Sequence, residues 1–121
     1  MKYISGLAVL LFPIASFGQS GITTNYIKNK QLNYDFPGGT IQIIISSDTT
    51  LFWRDESKPK EAHEKTKTIH LNDHTVMTSW YESDKTFVTL VSDFDKRKVS
   101  GMVCRADGKF YPIEGVIKVN Q

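Results

Sequence analysis

The chain lacks the residues that would staple it, anchor it or charge it strongly. Its 121 residues include one cysteine, Cys104, so no intrachain disulfide can form and packing must supply the stability. Cys104 lies in the strand-like stretch SGMVCRA, where it is expected as a small buried hydrophobe. No charge sign dominates: 15 Lys and Arg stand against 13 Asp and Glu. That balance gives no electrostatic case for nucleic acid or for an anionic membrane. The longest apolar run near the start, Leu7 to Phe12, is too short for a stable membrane anchor. There is no GxSxG, no glycine-rich phosphate loop, no HxH or HExxH and no Cys/His nucleophilic pair. The histidines are His63, His70 and His74, of which the last two flank an Asn72-Asp73 turn, so they read as surface or strand-end residues. No metal site and no cofactor are expected. No stretch of eleven or more residues shows a helical period, and there is no internal repeat.

What is present begins with a targeting pattern. MKYISGLAVLLFPIASFGQ places Lys2 before the apolar run and small residues, Ser16 and Gly18, after it. This is the pattern of a secretory signal, with cleavage expected after Gly18. No acylated cysteine follows, so the expectation is an exported bacterial protein, periplasmic or secreted. Residues 1–18 are assigned to the signal peptide, 19–31 to an N-terminal lead and 32–121 to a single domain. Cleavage leaves 103 residues, with 14 basic against 13 acidic, enough for one domain with its own core. The charged stretch KPKEAHEKTK, Lys58 to Lys67, alternates in sign and reads as a solvated loop and strand edge.

Turn signals recur about every ten residues: Pro37-Gly38-Gly39, Ser47-Asp48, Ser57–Pro59, Asn72-Asp73, Ser83-Asp84, Asp95-Lys96 and Asp107-Gly108. Asp107-Gly108 predicts a type I′ hairpin turn, because both central residues then need positive φ. Between the turns lie β-branched and aromatic runs such as TIQIII, TTLFW, HTVMTSWY, KTFVTLV and FYPIEGVIKV. The fold class is all-β: an antiparallel meander closed into a small barrel of about eight strands, since closure hides the edges of short strands. Strand counting leaves a sandwich as the alternative. Ile41, Ile43 and Ile45 share one face of their strand while Ile44 lies on the other, which suits a barrel with two partly apolar faces.

Ser79-Trp80-Tyr81-Glu82 is followed by Val88 to Phe94 and then by Gly101, with YDFPGGTIQIII and TTLFWRD upstream. In this pattern residues 32 to 119 resemble the MoaF-like family of small lipocalin-like, or calycin, barrels. The resemblance implies a barrel with an internal cavity. The same stretch is more distantly similar to phenolic acid decarboxylase. That likeness implies a proton-donor role for the acid of the Ser-Trp-x-Glu element, here Glu82, and a phenol-binding role for a tyrosine pair on the first strand. Tyr34 stands at one of those positions and Phe36 at the other. No arginine occupies the stretch around Pro59 and Lys60, where the resemblance would place a carboxylate-binding one. The decarboxylation is therefore not expected.

Glu82 is the candidate catalytic or anchoring residue. Val76, Thr78, Trp80 and Glu82 share one strand face, so Glu82 is either the single acid of an apolar pocket or a strand-end acid before the Ser83-Asp84 turn. The ligand-binding candidates are Tyr34, Trp53, Thr78, Trp80, Glu82 and Val88, with Trp53 and Trp80 equally readable as core. The expected function is the holding of a small apolar or aromatic ligand in the barrel, since such sites are apolar with a few placed polar groups. The alternatives are a cofactor-free lyase or isomerase using Glu82 as acid or base, and an interaction module with a filled interior. No nucleic-acid partner is expected, and a homodimer is left open.

Overall fold

Alternation of apolar and polar residues turns almost the whole described chain into strand. The computed structural model describes residues 27–120, so the expected signal peptide 1–18 and residues 19–26 of the lead lie outside the described residues. Nine strands follow in order: β1 (Gln31–Phe36), β2 (Gly39–Ser47), β3 (Thr50–Asp55), β4 (Lys60–Lys65), β5 (Lys67–Asn72), β6 (Thr75–Tyr81), β7 (Phe87–Asp93), β8 (Lys98–Cys104) and β9 (Phe110–Val119). They form one sheet in the order β4-β3-β2-β1-β9-β8-β7-β6-β5, a meander whose first and last strands pair with each other. The all-β, nearly closed barrel is the expected architecture, with one strand more than expected.

Parity explains the extra strand. Every ladder in the sheet is antiparallel. A ring of nine strands cannot alternate direction all the way round, so β4 and β5 must run the same way. Only Thr66 separates them. They are one bent strand that pairs with β3 through its first half and with β6 through its second. The barrel thus has eight up-and-down staves, one of them split at Thr66. The bend is pinned to the β2–β3 hairpin: the Thr66 N–H donates to Thr49 O at 2.9 Å and its hydroxyl to Asp48 O at 3.1 Å.

The inward face carries the core. Leu32, Tyr34, Ile43, Leu51, Trp53, Val76, Trp80, Val88, Leu90, Val99 and Ile117 are all buried. One end of the barrel holds the β2–β3, β5–β6 and β7–β8 turns and is covered by Ile27 and Phe94, which are 2% and 4% exposed. Ile27 belongs to the 19–31 lead, and Asn29 beside it donates its N–H to Ile45 O at 2.8 Å, so the described part of that lead is docked. At the other end the inward residues Phe36, Ile41, Ala62 and Ile113 are only partly buried. That open end positions the candidate site.

The Asp107-Gly108 turn differs from expectation. Gly108 N–H donates to Arg105 O and Arg105 N–H to Lys109 O, at 2.9 and 2.7 Å. Gly108 has φ +92, while Asp107 is not among the positive-φ residues. This is a three-residue loop, a type I turn followed by a left-handed residue, and not a type I′ turn. The β6–β7 loop repeats the plan: Lys85 N–H donates to Glu82 O, Glu82 N–H to Thr86 O, and Lys85 takes φ +70.

Candidate functional site

All six sequence candidates sit on the inward face or on its continuation. Tyr34, Trp53, Thr78, Trp80 and Val88 are buried, and Glu82, one residue past β6, is half-buried. Trp80 lies directly opposite Val88 in the β6–β7 ladder. The Trp80 indole N–H donates to Glu82 Oε2 at 3.2 Å. A ring and an acid two residues apart on a strand lean to the same side, which is why this contact forms.

A second indole–carboxylate pair lies beside the first. The Trp53 N–H donates to Glu64 Oε2 at 2.8 Å, and Glu64 is buried, at 9% exposure. Glu64 sits on β4 in the charged stretch read as a solvated edge. That reading missed it because alternating charge conceals an alternating face: on a strand Lys60, Ala62 and Glu64 point one way, and here that way is inward. The signal was the spacing, two residues from acid to small apolar residue, which a strand assignment would have exposed.

The split stave brings the two pairs together. The β5–β6 register runs Thr68↔Thr78 and Lys67↔Ser79, and its ladder ends there. Continued upward, the same register would set Glu64 opposite Glu82. β4 and β6 do touch, without a ladder. Burial is the largest cause that lifts the Glu82 carboxyl above its ordinary range. The Trp80 N–H opposes it, the Glu64 and Asp84 charges add to the rise, and Lys60 lowers it again. The Lys60 ammonium lies 5.9 Å from the centroid of the Trp53 ring. The two indoles and the two carboxylates therefore lie near the Lys60 ammonium, with Asp84 close to Glu82 and Arg105 close to Asp84.

Tyr34 and Thr78 do not join this cluster. The Tyr34 hydroxyl bonds Ser92 Oγ at 2.7 Å. β1 and β7 are not neighbours in the sheet, so this bond crosses the barrel interior. Ser92 faces Val76, six residues or about 20 Å of strand below Glu82. Burial pushes the Tyr34 phenol well up, against the pull of the Ser92 bond, so it stays protonated. Tyr34 is a cross-strut in the lower barrel. Thr78 pairs its hydroxyl with Thr68 at 3.2 Å.

Two other features lie apart. Ile44, Ser46, Thr50, Leu51, Phe52, His63, Glu64 and Lys65 line an open groove of ≈ 560 Å³, mostly on the outer face of β2, β3 and β4. His74, Asp93 and Asp95 approach within metal-binding spacing, but Asp93 Oδ1 already accepts the Asp95 and Lys96 N–H groups and caps its own loop.

Among solved structures, the chain is similar to a protein from Burkholderia vietnamiensis that carries the provisional name β-lactamase. The TM-score is 0.70 at 13% identity, over 78% of this chain and 95% of that one. At that identity the likeness speaks for the shared fold alone. No curated protein matches the chain. The model of the MoaF-like family matches residues 28–118, which span the whole barrel from the docked lead to β9. The chain belongs to the MoaF-like family.

Proposed function

We propose that this chain is an exported protein that holds a small, mostly apolar molecule at the open end of its barrel. Glu82 is the polar contact, in a wall of Trp53, Trp80 and Val88. The observation that carries the reading is Glu82 itself, a half-buried acid held by one indole N–H beside buried aromatic and aliphatic residues. Sites of this composition, apolar with few polar groups, are those that take small ligands. Native mass spectrometry of the protein taken from its own host is the test. A co-purified small molecule lost from the Glu82→Gln variant supports the reading; a wild-type protein that carries nothing and binds no member of a hydrophobic ligand panel overturns it. For export, N-terminal sequencing of the secreted form is expected to begin at Gln19, and a chain that begins at Met1 overturns it.

A second reading has its own observation. Burial raises the Glu82 carboxyl above its ordinary range next to another acid, Glu64, and two neighbouring acids in unlike environments are an arrangement used for general acid catalysis. On that reading the co-purified molecule would be released chemically changed by the wild type and unchanged by Glu82→Gln.

A further inference from the structure

Glu64 is an unusual charge for the interior of a barrel. It is 9% exposed, yet the only hydrogen bond of its side chain among the described residues is the one from the neutral Trp53 indole to Oε2. Its Oε1 has no hydrogen-bond partner among the described residues. Nor is that oxygen one of the fully buried unpaired atoms, which are Asn33 Oδ1 and His70 Nδ1. Glu82 repeats the pattern, with Oε2 on the Trp80 indole and Oε1 without a hydrogen-bond partner among the described residues. No salt bridge among the described residues includes either acid. Lys60 is close enough to bias Glu82, but its ammonium lies over the Trp53 ring and pairs with neither carboxylate.

A carboxylate with restricted access to water gains from a cation or several donors, and one neutral N–H is a partial substitute. The chemistry that completes this site is positive. An anion entering it would meet two carboxylates, with Asp84 adding to the field at Glu82. The walls decide which kind of cation. Hard metal ions ask for six or more oxygen ligands, whereas this site offers two carboxylates between two indoles. Indole rings and carboxylates together suit an ammonium on an apolar body.

We propose that the open end of the barrel selects primary organic ammonium ions, with the apolar part among Trp53, Trp80 and Val88 and the N–H groups directed to Oε1 of Glu64 and Glu82. The proposal rests on the reading of the barrel as a ligand holder and sharpens it. It also sets the site apart from one built for carboxylic acids.

The test is a matched pair of probes, phenethylammonium and 3-phenylpropionate, titrated into the protein at pH 7 by isothermal calorimetry. Phenethylammonium is expected to bind at least about tenfold more tightly, with the preference falling in Glu64→Gln and Glu82→Gln. Lys60→Gln, which removes the resident cation, is expected to widen it. The wild-type comparison needs no variant to fold. Equal or tighter binding of 3-phenylpropionate overturns the cation proposal while the ligand-holding reading stands. Binding of neither probe overturns the cation proposal, and the ligand-holding reading falls as well only if the host-derived protein also carries no ligand. Calcium binding more tightly than phenethylammonium overturns the proposal in favour of a metal.

Discussion

Glu82 and Glu64 differ in how far each could be read from the chain. Glu82 shares a strand face with Trp80, so local spacing makes the pair visible. Glu64 meets Trp53 only because β3 and β4 pair in one particular register, with Trp53 opposite Ala62 and Leu51 opposite Glu64. The raised Glu82 carboxyl has a measurable consequence. A folded-state pKa above the unfolded value, ordinarily about 4.3, means that the contribution to stability is fully present below the unfolded pKa. That contribution is lost as pH rises through the folded pKa. Glu82→Gln cannot ionise and escapes the loss. Its melting temperature relative to wild type is therefore expected to climb between pH 4 and pH 8. A difference that stays flat across that series would show that burial does not displace this carboxyl.

At the scale of the element, the hairpins carry the register, and each sets its own demand on the backbone. Gly108 at φ +92 has nothing within 4 Å of where a Cβ would sit, so conformation alone penalises a side chain there. Gly108→Val is expected to cost about 1 kcal/mol or more in urea unfolding, because a β-branched residue tolerates positive φ badly. Lys85 is the inverse case. It adopts φ +70 with a full side chain, so Lys85→Gly is expected to gain up to about 1 kcal/mol. Opposite signs from two glycine exchanges at equivalent loop positions would confirm the shared turn plan, and equal signs would refute it. Gly101 is limited by space instead: a Cβ there would lie 1.9 Å from Thr89 O, so β7 and β8 would have to separate to admit it.

At the scale of the molecule, the split stave is the weak line of the barrel. β1 and β9 close the ring by pairing residues as far apart as Leu32 and Val119, and each is flanked on both sides by a partner strand. β4 and β5 each have a partner on one side only. Amides on the unpartnered edges of β4 and β5 are expected to exchange with deuterium faster than those of β1, β8 and β9. Uniform protection around the ring would mean that the seam is closed in solution. A ladder of such long sequence separation also predicts folding on the millisecond-to-second scale, read by stopped-flow fluorescence of Trp53 and Trp80.

The sequence by itself determined the all-β class, the turn positions, the shared face of Ile41, Ile43 and Ile45, and the shared face of Trp80 and Glu82. Each follows from spacing along one strand or from the conformational demands of a turn residue, and both are local. Tertiary structure alone decided the rest. The 60–72 segment is one stave bent at Thr66 because a ring of antiparallel strands must be even in number. Tyr34 is a strut because Ser92 comes to meet it across the barrel. Glu64 faces Glu82 because the split in that stave leaves β4 and β6 side by side without a ladder. These are relations between distant residues, set by closure and register, and no window of neighbouring residues contains them.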